Sequence, residues 1–249
     1  YAIVLKRFGL KAHHERENSL NSSCEFENVE ALKTRLGHVL WIGGPTDSGK
    51  TTTAARLGEK YGLPVYHGDQ HWRENWAKIT PDQQPAMFRW DQMSMDERWV
   101  TRTVEDLTEQ TLQIMRERLP FIFEDLMGMD SNQPVIAEWF GFLPMCIAPL
   151  LSSKNHAVWL IGTEAFRIAS IDKRGKSGFH LDTSDPEKAW ENHFRRDVRI
   201  VGIIQRQEED LELRVILNDG KQSLEEIVGQ VEGHFGALLQ KYLQSGNLH

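Results

Sequence analysis

The sequence predicts an α/β fold in which a mostly parallel sheet is covered by helices, and three observations predict it. From His38 onward, short apolar runs alternate with longer stretches whose apolar residues recur every three or four positions, the pattern of strands joined by crossover helices. A glycine-containing loop links the first apolar run to the first helix in "HVLWIGGPTDSGKTTTAARLGEKYG", residues 38 to 62. A length of 249 residues suits one large domain with a buried sheet and inserted lobes better than two independent units.

In chain order, residues 1–36 read as an N-terminal appendage and residues 37–249 as a single domain. "YAIVL" has the composition of a short strand, and "KAHHERENSLNSSCEFEN" is polar and without period. The side chains of the adjacent His13, His14 and Glu15 diverge, which favours a solvated loop over a metal site. "HVLWIGG" is strand one, "KTTTAARLGEKYG" is a helix ended at Gly62 with Pro64 just beyond, and "PVYHGD" is strand two. Residues 70–95 are rich in Trp, Gln, Met and Pro and show no clean period. Val100, Val104, Leu107, Thr111 and Ile114 then mark one amphipathic helix, and Pro120 starts a second, "PFIFEDLMG". "PVIAEWF" is strand three and "AVWLIGT" strand four. Residues 170–185, "SIDKRGKSGFHLDTSD", form a basic loop. A helix opens at Pro186 with Asp185 as its cap and an apolar stripe at Trp190, Phe194, Val198, Val201 and Ile204. "LRVILND" is strand five. The last helix starts at the capping box Ser223–Glu226 and buries Leu224, Ile227, Val231, Phe235, Leu238 and Tyr242.

Composition narrows the function classes. A formal charge of −7, from 29 basic and 36 acidic residues, argues against general nucleic-acid binding, although a local basic pocket stays open. Cys24 and Cys146 are too few for a disulfide scaffold and suit a reducing compartment. No apolar run reaches the roughly 20 residues of a membrane span, and no signal segment is present. The chain starts at Tyr1 rather than Met, which leaves its natural N-terminus open. The expectation is a cytoplasmic protein with no membrane partner; a homodimer is left open.

Gly44-x-x-x-x-Gly49-Lys50-Thr51 matches the phosphate-binding P-loop pattern and lies where that pattern belongs, after a strand and before a helix. Glycines let backbone N–H groups converge on an anion, and the helix N-terminus adds partial positive charge. Residues Gly44, Pro45, Thr46, Asp47, Ser48, Gly49, Lys50, Thr51 and Thr52 are therefore expected to bind a nucleoside triphosphate. Lys50 would reach the β- and γ-phosphates, and Thr51 would place its hydroxyl on Mg²⁺. "DLMG" at Asp125 formally fits a GTPase switch, but its context is helical and no N-K-x-D motif follows. Asp69 closes strand two beside the loop, at the edge where open α/β sheets bind ligands. A carboxylate there accepts the proton of a hydroxyl attacking the γ-phosphate; a turn aspartate after glycine is the plainer alternative.

"IGGPTDSGKTT", "VYHGD", "VIAEWF" and the basic loop followed by "RRD" resemble the P-loop kinases related to nucleoside monophosphate kinases. In style they are closest to gluconate, shikimate and chloramphenicol kinases. The resemblance covers about residues 38 to 244, and only the P-loop is highly specific. It implies a three-layer α/β/α fold with five parallel strands ordered 2-3-1-4-5. It also implies a substrate lobe over about 70–119, a lid over about 170–185, and ATP with Mg²⁺ as the nucleotide. On that template Glu138 takes the acidic role near Mg²⁺, with Asp125 as rival if its segment were a strand. Arg167, Lys173, Arg174 and Lys176 fall in the lid region, with Arg174 on the nucleotide; Arg167, Arg195 and Arg196 would meet the transferring phosphoryl. An ion pair with Asp197 or Glu191 explains one of the last two equally well. "EWFG" lacks the Asp-Gly-x-Pro of many nucleotide kinases, which disfavours a nucleotide acceptor.

The region after strand two supplies His71, Trp72, Arg73 and Arg98 as candidate acceptor contacts, and its aromatic and Met residues either line a ring-binding pocket or bury a helical lobe. The sequence thus predicts a kinase acting on a hydroxyl of a small metabolite or antibiotic. Alternatives are a nucleoside or nucleotide kinase and, from another class, a regulatory P-loop ATPase acting on a macromolecule.

Overall fold

The computed structural model describes residues 24, 26, 28–174 and 178–244. The strand expected over residues 1–5 and the His13–Glu15 group lie outside them. Five parallel strands, β1 (Val39–Gly43), β2 (Val65–His67), β3 (Val135–Glu138), β4 (Ala157–Gly162) and β5 (Arg214–Asn218), make one sheet in the order β2-β3-β1-β4-β5. Strands β1, β3 and β4 are buried along their whole length, so their pleat sends alternate side chains into two separate cores. Val39, Trp41, Val135, Ala137, Ala157 and Trp159 enter one of them. Leu40, Ile42, Ile136, Val158, Leu160 and Ile216 enter the other.

The second core is closed by α2 (Lys50–Tyr61) and α10 (Leu224–Gln244), through residues such as Leu57, Ile227, Val231 and Phe235. Gly62 ends α2 in the left-handed region at φ 64°, and the Ser223–Glu226 capping box opens α10 with both of its reciprocal hydrogen bonds. The first core is closed by α6 (Val104–Met127), α7 (Pro144–Ile147) and α9 (Pro186–Asp210). Helix α6 is continuous through Pro120, where a break between two helices is expected from the sequence. The aperiodic stretch after β2 folds as three short helices, α3 (Trp72–Trp76), α4 (Pro85–Gln92) and α5 (Met95–Trp99). Trp90, Trp99 and Leu107 make a small core of their own there.

Two further differences bear on the site. Residues 164–174 form a helix, α8 (Glu164–Arg174), so the basic segment after β4 begins as helix rather than loop. The side chain of Arg174, with Lys173 and Lys176, falls outside the described residues. At the N-terminal end, α1 (Val29–Arg35) leads into the buried Leu36, Phe26 packs edge-on to Phe123, and Cys24 is joined to Cys146 with their Cα atoms 4.8 Å apart. Composition alone suits these two cysteines to a reducing compartment, whereas the structure brings them together as a disulfide. Among the described residues, no helix is long and apolar enough to cross a membrane.

Candidate active site

Strand register brings the site together. Ile42 of β1 and His67 of β2 both lie beside Glu138 of β3, so the C-terminal ends of three adjacent strands share one edge, and the Gly44–Thr51 loop leaves from it. Gly44 takes φ +123°, and a Cβ there would collide with the carbonyl oxygen of Leu160, so only glycine lets the loop leave β1 at this angle. Gly49 takes φ +93° as the N-cap of α2, and Asp47 between them is also left-handed at φ 61°. The loop backbone is closed from the other side by Asn218 of β5, which donates to the carbonyl oxygen of Ser48 at 3.3 Å.

Lys50 is only 6% exposed, and its Nζ donates to the carbonyl oxygen of Pro45 at 2.8 Å, so its ammonium lies within the curve of the loop. Burial pulls its pKa below the usual lysine range, opposed by the charges of Glu138, Asp69 and Asp197. The Oγ of Ser48, wholly buried in the loop, has no hydrogen-bond partner among the described residues. An orphaned hydroxyl beside a buried ammonium and a helix N-terminus is a cradle for a polyanion.

Thr51 Oγ1 donates to Glu138 Oε1 at 3.2 Å. One hydroxyl and one carboxylate are the oxygen donors that Mg²⁺ takes when it keeps waters and phosphate oxygens for its other positions, so this pair fits Mg²⁺. Among the described residues no group of three or more His, Cys, Asp and Glu side chains could hold a metal unaided. Asp125, the rival acid, sits on α6 and accepts from the Tyr66 hydroxyl at 2.7 Å. Glu138 Oε1 also faces His67 Nδ1 at 2.9 Å, a contact that sequence reasoning did not anticipate.

Asp69 follows β2 in a short 3-10 turn and is exposed. Its Oδ1 accepts from Trp139 Nε1 at 3.0 Å. The Trp139 indole lies against Gly68, where any Cβ would overlap the ring, so glycine before Asp69 is a packing requirement. Beneath the turn, Arg118 is 1% exposed; it donates to Asn75 Oδ1 at 3.0 Å and to the carbonyl oxygen of Gly68. Its guanidinium lies 4.9 Å from the Trp139 ring and 5.4 Å from the Trp72 ring. Arg118 and Trp139 next to these strand ends were not singled out from the sequence, and Asp197 was considered only as an ion-pair partner; Trp139 alone gave a signal, an indole directly after the predicted acidic strand end.

The arginines divide. Arg196 is buried and bonded to Asp197, and Arg167 lies 3.7 Å from the same carboxylate, which in turn accepts from Thr46 Oγ1 of the loop at 2.8 Å. Burial alone would raise the pKa of Asp197, but the charges of Arg196 and Arg167 and the Thr46 hydrogen bond hold it at about 2. Arg195 instead pairs with Glu191 at 3.2 Å, one turn back on α9, and Arg199 pairs with Glu105 at 3.0 Å. The structure brings Arg167 and Arg196, not Arg195, to the loop.

The acceptor candidates divide as well. The His71 ring stacks on Tyr66 at 4.4 Å and its Nδ1 faces Glu74 at 3.2 Å. Trp72 is 41% exposed and stacks on Trp76 at 3.9 Å. Arg73 is exposed in the same helix. Arg98 lies apart: it donates to the carbonyl oxygens of Trp90 and Asp91 and so closes the C-terminal end of α4.

No family model matches the sequence, and no curated protein matches it. Among solved structures, the chain is similar to a shikimate kinase from Aquifex aeolicus at 14% identity, covering 80% of this chain and 97% of that one, with a TM-score of 0.35. It is similar to a shikimate kinase from Acinetobacter baumannii in complex with shikimate at 15% identity, with coverage of 88% and 99% and a TM-score of 0.40. It is similar to a gluconokinase from Sinorhizobium meliloti at 17% identity, with coverage of 85% and 98% and a TM-score of 0.35. The fold rests on this chain's own features: the strand order β2-β3-β1-β4-β5 and a phosphate-type glycine loop between β1 and α2 give it the P-loop α/β/α architecture.

Proposed function

We propose that the protein is an ATP- and Mg²⁺-dependent kinase that phosphorylates a hydroxyl group of a small molecule. The observation that carries this reading is Asp69: an exposed carboxylate held by Trp139 at the end of β2, with its charge felt by the buried Lys50. The loop amides and Lys50 hold the triphosphate, with Arg167 and Arg196 beside it. Asp69 orients the acceptor hydroxyl and takes its proton as the hydroxyl oxygen bonds to the γ-phosphorus. The bond from that phosphorus to the β–γ bridging oxygen breaks, and ADP leaves with the electron pair. When bound at Thr51 and Glu138, Mg²⁺ neutralises negative charge on the phosphates. The exposed Trp72 face, backed by Trp76 and flanked by Arg73, suits an acceptor that carries a ring.

Pooled metabolites and antibiotics screened for ADP release test this directly: one chemical class should raise the rate far above the basal level. A response confined to a protein or nucleic acid would sink it. Lys50→Ala should abolish turnover. Asp69→Asn should lower kcat by about 10² to 10⁴ while ATP affinity is kept; a fully active variant would show that Asp69 is not the base.

A further inference from the structure

Asp197 is 4% exposed and lies where α9, α8 and the glycine loop meet. Its two oxygens are used differently. Oδ1 accepts from Arg196 Nε at 2.9 Å and from Arg196 Nη2 at 2.6 Å, a fork of two charge-assisted bonds. Oδ2 accepts from Thr46 Oγ1 at 2.8 Å and lies 3.6 Å from His193 Nε2 and 3.7 Å from Arg167 Nη2. The other edge of Arg196 donates from Nη1 to Thr111 Oγ1 at 3.3 Å, and its guanidinium lies 5.2 Å from the Trp99 ring. Arg196 is therefore neutralised and fixed on every side. Arg167 is not. At 3% exposure its Nε has no hydrogen-bond partner among the described residues, and its nearest carboxylate contact is the long one to Asp197. Its stem passes Gly162, whose own neighbour is the Asp47 carbonyl of the glycine loop.

We infer that Asp197 is a positioning residue that fixes Arg196 as a neutral strut, ties it to the phosphate loop through Thr46, and leaves Arg167 to meet the transferring phosphoryl group. This rests on the kinase reading. The charges agree with it. A lone carboxylate this close to a triphosphate would repel it, and the fork to Arg196 removes that repulsion. His193, pulled down by burial to about 4, is neutral at pH 7 and adds no charge. Two arginines against one carboxylate leave a single positive charge for the phosphoryl oxygens, and the unused donor is on Arg167. A fixed donor that waits for developing charge is the arrangement that favours a transition state over a ground state.

The test compares affinities by calorimetry and needs no acceptor. Wild-type protein is titrated with Mg·AMP-PNP and with Mg·ADP plus aluminium fluoride, the second mimicking the phosphoryl in transit. Arg167→Gln should lose tenfold or more of its affinity for the fluoride complex while binding Mg·AMP-PNP within about threefold of wild type. Arg167→Lys replaces it if the glutamine variant does not fold, and should show the same split more weakly. The double variant Arg196→Gln/Asp197→Asn removes the strut and its tie to Thr46 as a neutral unit and should weaken both complexes by the same factor, without the split that Arg167→Gln shows. A double variant that loses tenfold or more on the fluoride complex while keeping Mg·AMP-PNP, as Arg167→Gln should, would overturn the inference, as would a wild type that binds both complexes alike. A wild type that does not bind Mg·AMP-PNP fails at the earlier step: the kinase reading falls and takes this inference with it.

Discussion

Trp139 illustrates what a single residue does here. It follows the acidic Glu138 directly in sequence, but the strand turns it toward β2, where the indole covers Gly68 and its Nε1 holds Asp69. Trp139→Phe keeps an aromatic ring over Gly68 and removes the hydrogen bond. Asp69 should then sample other rotamers, and under the proposed kinase reading kcat should drop about tenfold with the KM for ATP unchanged, since misplacing the proposed base taxes the chemical step more than nucleotide binding. An unchanged kcat would mean that Asp69 is aimed by the 3-10 turn alone. The places of Lys50, Thr51 and Asp69 at one edge of the sheet were readable in the sequence because each belongs to a local pattern: a glycine spacing or a strand end. Arg118 and Asp197 were not, since the partners that define them, Gly68 and Thr46, lie 50 and 151 residues away in the chain.

Helix α9 shows where periodicity misleads. Its apolar residues Trp190, Phe194, Val198, Val201 and Ile204 predict the buried stripe, yet only Ile204 is buried and the other four are half-buried. The buried side runs through Ala189, Asn192, Arg196, Ile200, Ile203 and Gln207. The helix is turned by about one residue because its inner face serves a charged cluster as well as a core, and an apolar count does not detect buried charge. Helix α6 gives the opposite lesson: Pro120 marks a start by local rules, but packing of Leu119, Ile122 and Phe123 into the first core carries the helix through it. The buried polar side of α9 has a consequence for stability. Glu208 is 1% exposed, both of its carboxylate oxygens lack partners among the described residues, and burial pushes its pKa up to about 9. Its folded pKa lies above the unfolded value, so the protonated acid is the form the fold tolerates. Stability should be unaffected by this group below about pH 4.5 and should fall progressively as pH rises from there to about 9. Glu208→Gln should therefore raise the melting temperature at pH 7 and gain little at pH 4. Equal shifts at both pH values would place the cost elsewhere.

At the scale of the whole molecule, the two cores differ in how the chain closes them. The core under α2 and α10 is built from residues 40 to 63 and 136 to 239 by ordinary crossover connections. The other receives, in addition, a contribution from the N-terminal end: Cys24, Phe26, Val29, Leu32 and Leu36 pack there, and Cys24 is bonded to Cys146 after β3. The sheet order follows the resemblance read from the glycine loop and strand spacing, whereas this covering was not visible, because residues 18–28 carry no period and the partners of Phe26 and Cys24, Phe123 of α6 and Cys146 of α7, are far away in the chain. A cross-link between residues 122 positions apart removes much of the freedom of the unfolded chain, at most about 5 kcal/mol by loop-closure entropy and commonly less. For a domain of this size about 1 kcal/mol corresponds to roughly 2–4 °C in melting temperature. Dithiothreitol should therefore lower the melting temperature of the wild type by several degrees and leave a Cys24→Ala variant, already at the lower value, where it is. Cys24 is the position to change, since it is half-buried, while replacing the fully buried Cys146 would add a packing loss to the loss of the bond. If oxidised and reduced wild type melt together, the N-terminal segment is held by Phe26, Val29 and Leu36 alone, and the covalent tie contributes nothing to the fold.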